Sequence, residues 1–142
     1  MNSLITIGSV VAGGCVNMFF IVISGSVIPP PEGTDVTTME GLIEAMPRMQ
    51  PKHFLMPFIA HAAGTVAGAA LVARFTSARG GFARAMFVGG FFFIGGATHV
   101  YMLPSPAWFN VTDLSIAYFP MAYLGFELSK HKMVGVRPQP FF

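Results

Sequence analysis

Four long apolar runs, separated by short polar or proline-rich segments, account for most of the chain. They extend from about Leu4 to Ile28, Phe54 to Phe75, Phe82 to Leu103 and Ala107 to Leu128. Each approaches the roughly 20 residues that a helix needs to cross about 30 Å of hydrocarbon. The pattern predicts an all-α fold, an integral membrane four-helix bundle forming one domain over residues 1–142. A fifth, shorter pattern lies between the first two runs. Met39, Leu42, Ile43 and Met46 recur at i, i+3, i+4 and i+7, Thr37 precedes Glu40 at capping-box spacing, and Pro47 ends the run. A short amphipathic helix over about 38–46 is expected there, lying on the outer membrane surface or over the mouth of the bundle as a packing lid. Pro29, Pro30 and Pro31 lead into it as a stiff extended segment that cannot continue the first helix.

Composition sharpens this picture. Of the 142 residues 54% are hydrophobic and only 10% charged, where a soluble domain has about a quarter charged. The small-x-small triplet Ser24-Gly25-Ser26 suggests a signal cleavage site, but no basic residue precedes the first run and the run is too long for a signal core. It is read as a retained helix. Arg74, Arg79 and Arg84 flank the second connection, and Lys130, Lys132 and Arg137 follow the last run. Basic flanks stay inside, so both termini are expected in the cytoplasm. The segment holding Glu32, Asp35, Glu40 and Glu44, together with the turn "PSPAWFN", is expected outside. The net charge of +2 with no basic patch speaks against nucleic acid as a partner. Cys15, the single cysteine, is expected as a small core residue of the first helix.

The informative residues are the polar ones placed among glycines. His61 shares a helix face with Gly64, Thr65 and Gly68, His99 with Gly95 and Gly96, and Asn17 with Gly13 and Gly14. Such small-residue faces let helix backbones approach closely in lipid, so these glycines are expected to pack helices and the polar groups to point inward. At about 1.5 Å rise per residue, His61 lies roughly 10 Å, Asp113 roughly 9 Å and His99 roughly 6 Å from the outer ends of their helices. The three are expected at one level; Asn17 sits deeper, near mid-bilayer. Two imidazoles and a carboxylate are competent ligands for a transition metal, two facing histidines beside glycines could hold a haem, and the same groups could pass a proton. The competing expectation is structural: the histidines pin the bundle by hydrogen bonds while Asp113 caps an outer helix end. Glu44 and His53 are expected as solvated loop residues that could extend a metal site, and Glu127 as an interface anchor paired with Lys130 or an arginine.

No nucleophile elbow, phosphate loop or dinucleotide fingerprint is present, and no catalytic residue is assigned. The order "VIPPPEGTD", "EAMP", "AHAAGTVAGAALVARF", "MLPSPAWF" and "FPMAYLGFEL" resembles a group of small bacterial four-helix integral membrane proteins without an assigned activity. The resemblance covers Val27 to Leu128 and implies the topology and a place in the bacterial cytoplasmic membrane. In that group an aromatic commonly stands at the position of His61 and an amide at that of His99, which makes the histidines a feature of this chain. The charged second-helix signatures of the microsomal glutathione transferases, another four-helix family, are absent. The expected role is non-catalytic: an accessory subunit of a larger membrane complex or homo-oligomer, or a binder of a lipid or other hydrophobic small molecule. The alternatives are a metal- or haem-dependent redox protein using His61, His99 and Asp113, and a small proton-coupled carrier.

Overall fold

The computed structural model describes residues 2–76 and 78–130, and these are helical apart from the connections. The first helix, α1, runs Asn2–Val27 and closes with the Ile28 amide donating to the Ser24 carbonyl at 2.8 Å, just ahead of the proline triplet. Pro29–Pro31 then forces extended chain, and the chain turns at Thr34, whose amide and hydroxyl donate to the Pro31 carbonyl at 3.2 and 2.6 Å. Gly33 inside that turn takes φ 72°, a left-handed value open to glycine at no steric cost.

The short helix α2, Met39–Ala45, forms as expected, with a different cap. Thr38 accepts from the Gly41 amide at 3.1 Å. Thr37 instead closes a turn on Asp35, donating its amide and its hydroxyl to Oδ1 at 2.8 and 2.6 Å. These two donors hold the Asp35 carboxyl below the usual carboxylate range. Ala45 and Met46 are buried while Met39 and Ile43 remain exposed, so only the C-terminal end of the short helix is inserted. Two 3-10 turns, Met46–Arg48 and Pro51–Phe54, lead into α3, Leu55–Arg74. Next come α4, Ala78–Met102, then α5, Ala107–Ile116, and α6, Phe119–Lys130.

The expected single fourth helix over about 107–128 is therefore two helices. The reason is Pro120: it has no amide to give the Ile116 carbonyl, and its ring crowds that carbonyl. The chain relaxes by turning at Ala117 and Tyr118, with ordinary helical bonds on either side, Ala117 to Asp113 and Ala122 to Tyr118. Three stretches, Ser3–Val27, Pro51–Arg74 and Gly80–Met102, are long and apolar enough to cross a membrane, with mean hydropathies of 2.0, 1.6 and 1.4.

At the centre is α3, packed along α1, α4 and α6, with α4 also against α6; α1 and α4 meet only briefly. Glycine sets these approaches. A methyl on Gly13 would lie 2.6 Å from the Gly64 carbonyl oxygen, and one on Gly64 would lie 2.7 Å from that of Gly13. Gly68 faces the Ser9 carbonyl, Gly125 the Val66 carbonyl, and Gly89 the Ala122 methyl in the same way. Gly14 and Gly95 do not pack: a methyl there would meet open space. Each lies one residue along its helix from a glycine that does pack, Gly13 and Gly96, so within each small-residue face only one register meets the neighbour. The same rotation leaves Cys15 exposed rather than in the core. Ala69, Val72, Ala85, Val88, Ala122 and Phe126 form the apolar core, near the end of α3 and the start of α4. The opposite half of the bundle is left for polar groups. Lys132 and Arg137, expected as inner flanking charges, lie outside the described residues.

Candidate functional site

Two loops bring the polar residues to one level. Phe54, buried just before α3, packs tilted against Phe109 and edge-to-face against Trp108 in the first turn of α5, with ring centroids 4.9 and 5.7 Å apart. Ser105 ties the preceding turn to α5 by donating its hydroxyl to Asn110 Oδ1 at 2.6 Å. With the starts of α3 and α5 joined in this way, His61 and Asp113 meet about two turns further in.

His61 Nδ1 lies 2.9 Å from both carboxylate oxygens of Asp113. The Tyr118 hydroxyl donates to Asp113 Oδ2 at 2.9 Å and stands 3.2 Å from His61 Nδ1. Asp113 and Tyr118 are 3% and 2% exposed, and His61 is partly buried beside them. Tyr118 reaches it because the break before α6 turns the residue inward and because Gly96 leaves room: a methyl on Gly96 would collide with the tyrosine hydroxyl and ring. The His99 ring lies nearly parallel to that of His61, centroids 6.2 Å apart and planes 12° apart, on the more exposed side of the site.

Beside the cluster is a cavity of about 80 Å³ lined by Asn17, His61, Phe92, Gly95, His99 and Tyr118, with Gly64 and Gly96 in its wall. Asn17 Oδ1 is buried without a hydrogen-bond partner. The cavity therefore has a polar atom, Asn17 Oδ1, that the protein itself does not satisfy. Its volume corresponds to roughly two to three molecules of liquid water. Among the described residues no three His, Cys, Asp or Glu side chains are grouped to hold a metal ion.

His61, Asp113 and His99 are thus brought together, and Asn17, which helical depth sets apart from them, joins them across the Gly13–Gly64 contact. Tyr118 is absent from the reading of the sequence. Its one signal there is position, two residues before a proline within an apolar run, facing a glycine-rich third helix. No family model, curated protein or solved structure matches this chain.

The remaining candidates lie elsewhere. His53 accepts the Gln50 amide on Nδ1 at 2.8 Å, and its Nε2 lies 3.1 Å from the Pro29 carbonyl oxygen, so it clasps the proline segment to the start of α3. Arg48 donates to the Glu32 carbonyl at 2.7 Å and fastens the same connection. Glu44 is exposed on α2. Glu127 accepts from Lys130 at 2.6 Å near the end of α6.

Proposed function

We propose that this chain is a four-crossing integral membrane protein that binds a small amphipathic molecule at the His61–Asp113–Tyr118 cluster and catalyses no reaction. The cavity beside a buried polar cluster, with Asn17 Oδ1 left unsatisfied in its wall, is the observation that carries this reading. An intramembrane ionisable residue costs about 2.5–3.5 kcal/mol on insertion scales, and one kept there marks a function. Three helices have the length and apolarity to cross, and α5 with α6 supplies the fourth crossing, its broken middle shielded by α3 and α4. Irregular backbone at membrane depth is tolerated where protein covers it. The flanking arginines put both termini inside, and the proline-triplet and Pro-x-Pro-x-Trp-Phe motifs suit the bacterial cytoplasmic membrane. Along α1, Leu4, Ile7, Val11, Met18 and Val22 are exposed, a surface suited to lipid or to a neighbouring subunit.

The test is mass spectrometry of small molecules and metals retained by protein purified in mild detergent without a metal-affinity resin. One amphiphile enriched near one per chain, and depleted about tenfold in His99→Ala and in His61→Ala, is the expected result. The His99 variant changes a half-open wall and leaves the buried pair intact, so a loss there does not reflect unfolding. Lipid profiles identical in wild type and both variants, or a stoichiometric transition metal in place of an amphiphile, would overturn the reading.

A further inference from the structure

The burial pattern around the cavity beside His61 shows how the cavity is reached, an inference that rests on the membrane-binder reading above. Of its lining residues Gly64, Gly96 and Tyr118 are buried, whereas Gly95 and His99, one turn apart on α4, are exposed. The cavity is thus closed toward α3 and toward the break before α6, and open on the side of α4 where Gly95 lies. Asn17 brings α1 to the same side, and α1 and α4 meet only briefly. One turn deeper, Phe92 fills the space between them: methyls on Gly13 and Gly68 would lie 3.0 and 3.5 Å from its ring. At Gly95 nothing fills that space, and a methyl there would meet no neighbour. The result is a slot between α1 and α4, floored by Phe92 and bordered by Gly95, His99 and Asn17.

Depth decides what lies outside the slot. The approaches of Gly64 to Gly13 and of Gly68 to Ser9 run α1 antiparallel to α3, and those of Gly68 to Val88 and of Gly81 to Ala73 do the same for α4. Val27 and Met102 therefore end α1 and α4 at one end of the bundle. At about 1.5 Å rise per residue, Gly95 lies roughly 10 Å and Asn17 roughly 15 Å in from those ends. Both fall inside stretches long and apolar enough to cross a membrane, at depths within the nearer half of about 30 Å of hydrocarbon. The lip of the slot is apolar to match. Phe91 and Ile94 are exposed beside Gly95, and the Thr98 hydroxyl donates to the Ile94 carbonyl at 2.8 Å, so it needs no water. Exposed apolar side chains at that depth suit acyl chains, whereas a water-filled entrance is marked by polar ones. We infer that molecules enter the His61 site sideways, from the acyl-chain region of the bilayer through the slot between α1 and α4, with Gly95 as its threshold. The ligand class is then one dissolved in the membrane rather than in water.

Two measurements on the full chain in phosphatidylcholine vesicles test the route. A nitroxide attached to Gly95→Cys in a Cys15→Ser background should collide more with dissolved oxygen, which concentrates in hydrocarbon, than with a water-soluble nickel chelate. In the second, a small aryl diazirine dissolved in the bilayer is irradiated and its insertion sites are mapped residue by residue. It should label His61 and Asn17, and Gly95→Leu, which fills the threshold, should lower that labelling about tenfold. The melting midpoint of Gly95→Leu should match the wild type, because the added side chain enters open space. Gly14→Leu adds the same bulk at an open position of α1 outside the cavity wall and should leave the labelling unchanged. A nitroxide that meets the chelate more than oxygen, no label on His61 and Asn17, or equal labelling in Gly95→Leu and wild type each overturns the lateral route. None of these touches the binder reading, which falls separately if the purified wild type retains no amphiphile.

Discussion

Gly96 and Tyr118 occupy one space, and the site depends on their division of it. The tyrosine hydroxyl takes the volume that a side chain at position 96 would need, and from there donates to Asp113. Overfilling a packed interior costs about 1–3 kcal/mol, so Gly96→Ala should destabilise the protein by about that amount in a detergent unfolding series. Because the collision involves the hydroxyl, the same substitution should cost less in a Tyr118→Phe background; equal costs in the two backgrounds would show that the residues are not coupled. His61, His99 and Asp113 are legible in the sequence because depth along a helix is a count of residues from a recognisable end. Tyr118 is not legible, because its direction depends on a backbone break, and an amphipathic tyrosine in an apolar run reads equally as an interface residue. Asn17 is misplaced by the same count: its depth is measured along α1 alone, whereas its neighbours are decided by how α1 crosses α3.

Among helices, the contact between α1 and α3 is the one that closes the cavity on the Asn17 side. Gly13 and Gly64 hold their backbones close enough that each carbonyl oxygen fills the place of the other's side chain. Gly13→Val should therefore force α1 away from α3, lower the unfolding midpoint, and weaken amphiphile retention. Gly14→Val, one residue along, enters open space and should change stability by no more than about 0.5 kcal/mol. A matched pair of melting curves in detergent checks this, and equal losses would mean that the two helices do not cross at Gly13. The sequence shows both glycines on a small-residue face but does not distinguish them. A single turn of helix carries several small residues, and only the crossing angle selects which of them touches the partner.

At the scale of the whole molecule, the proposed orientation rests on the disposition of charge. With Arg74 at the end of α3 and Lys130 at the end of α6, the proposed topology puts the α3–α4 connection in the cytoplasm and α2 outside. In a Cys15→Ser background, a Glu40→Cys variant should react with a membrane-impermeant maleimide on intact cells, and a variant of the exposed Phe75, Phe75→Cys, only after permeabilisation. The reverse pattern would invert the protein and place the His61 site near the inner surface.

Hydrophobic patterning by itself determined that the chain is helical and where three of its long helices and the short one between the first two lie, because burial of backbone in apolar runs leaves the helix as the favoured form and proline marks where it must stop. It also determined that His61, His99 and Asp113 share a level. Only the tertiary structure decided that the fourth run breaks at Ala117 and Tyr118, that Gly13 packs while Gly14 does not, and that Asn17 and Tyr118 complete the site. Each of these depends on how one helix crosses another, and crossing geometry is a property of two surfaces in contact, which no single stretch of sequence contains.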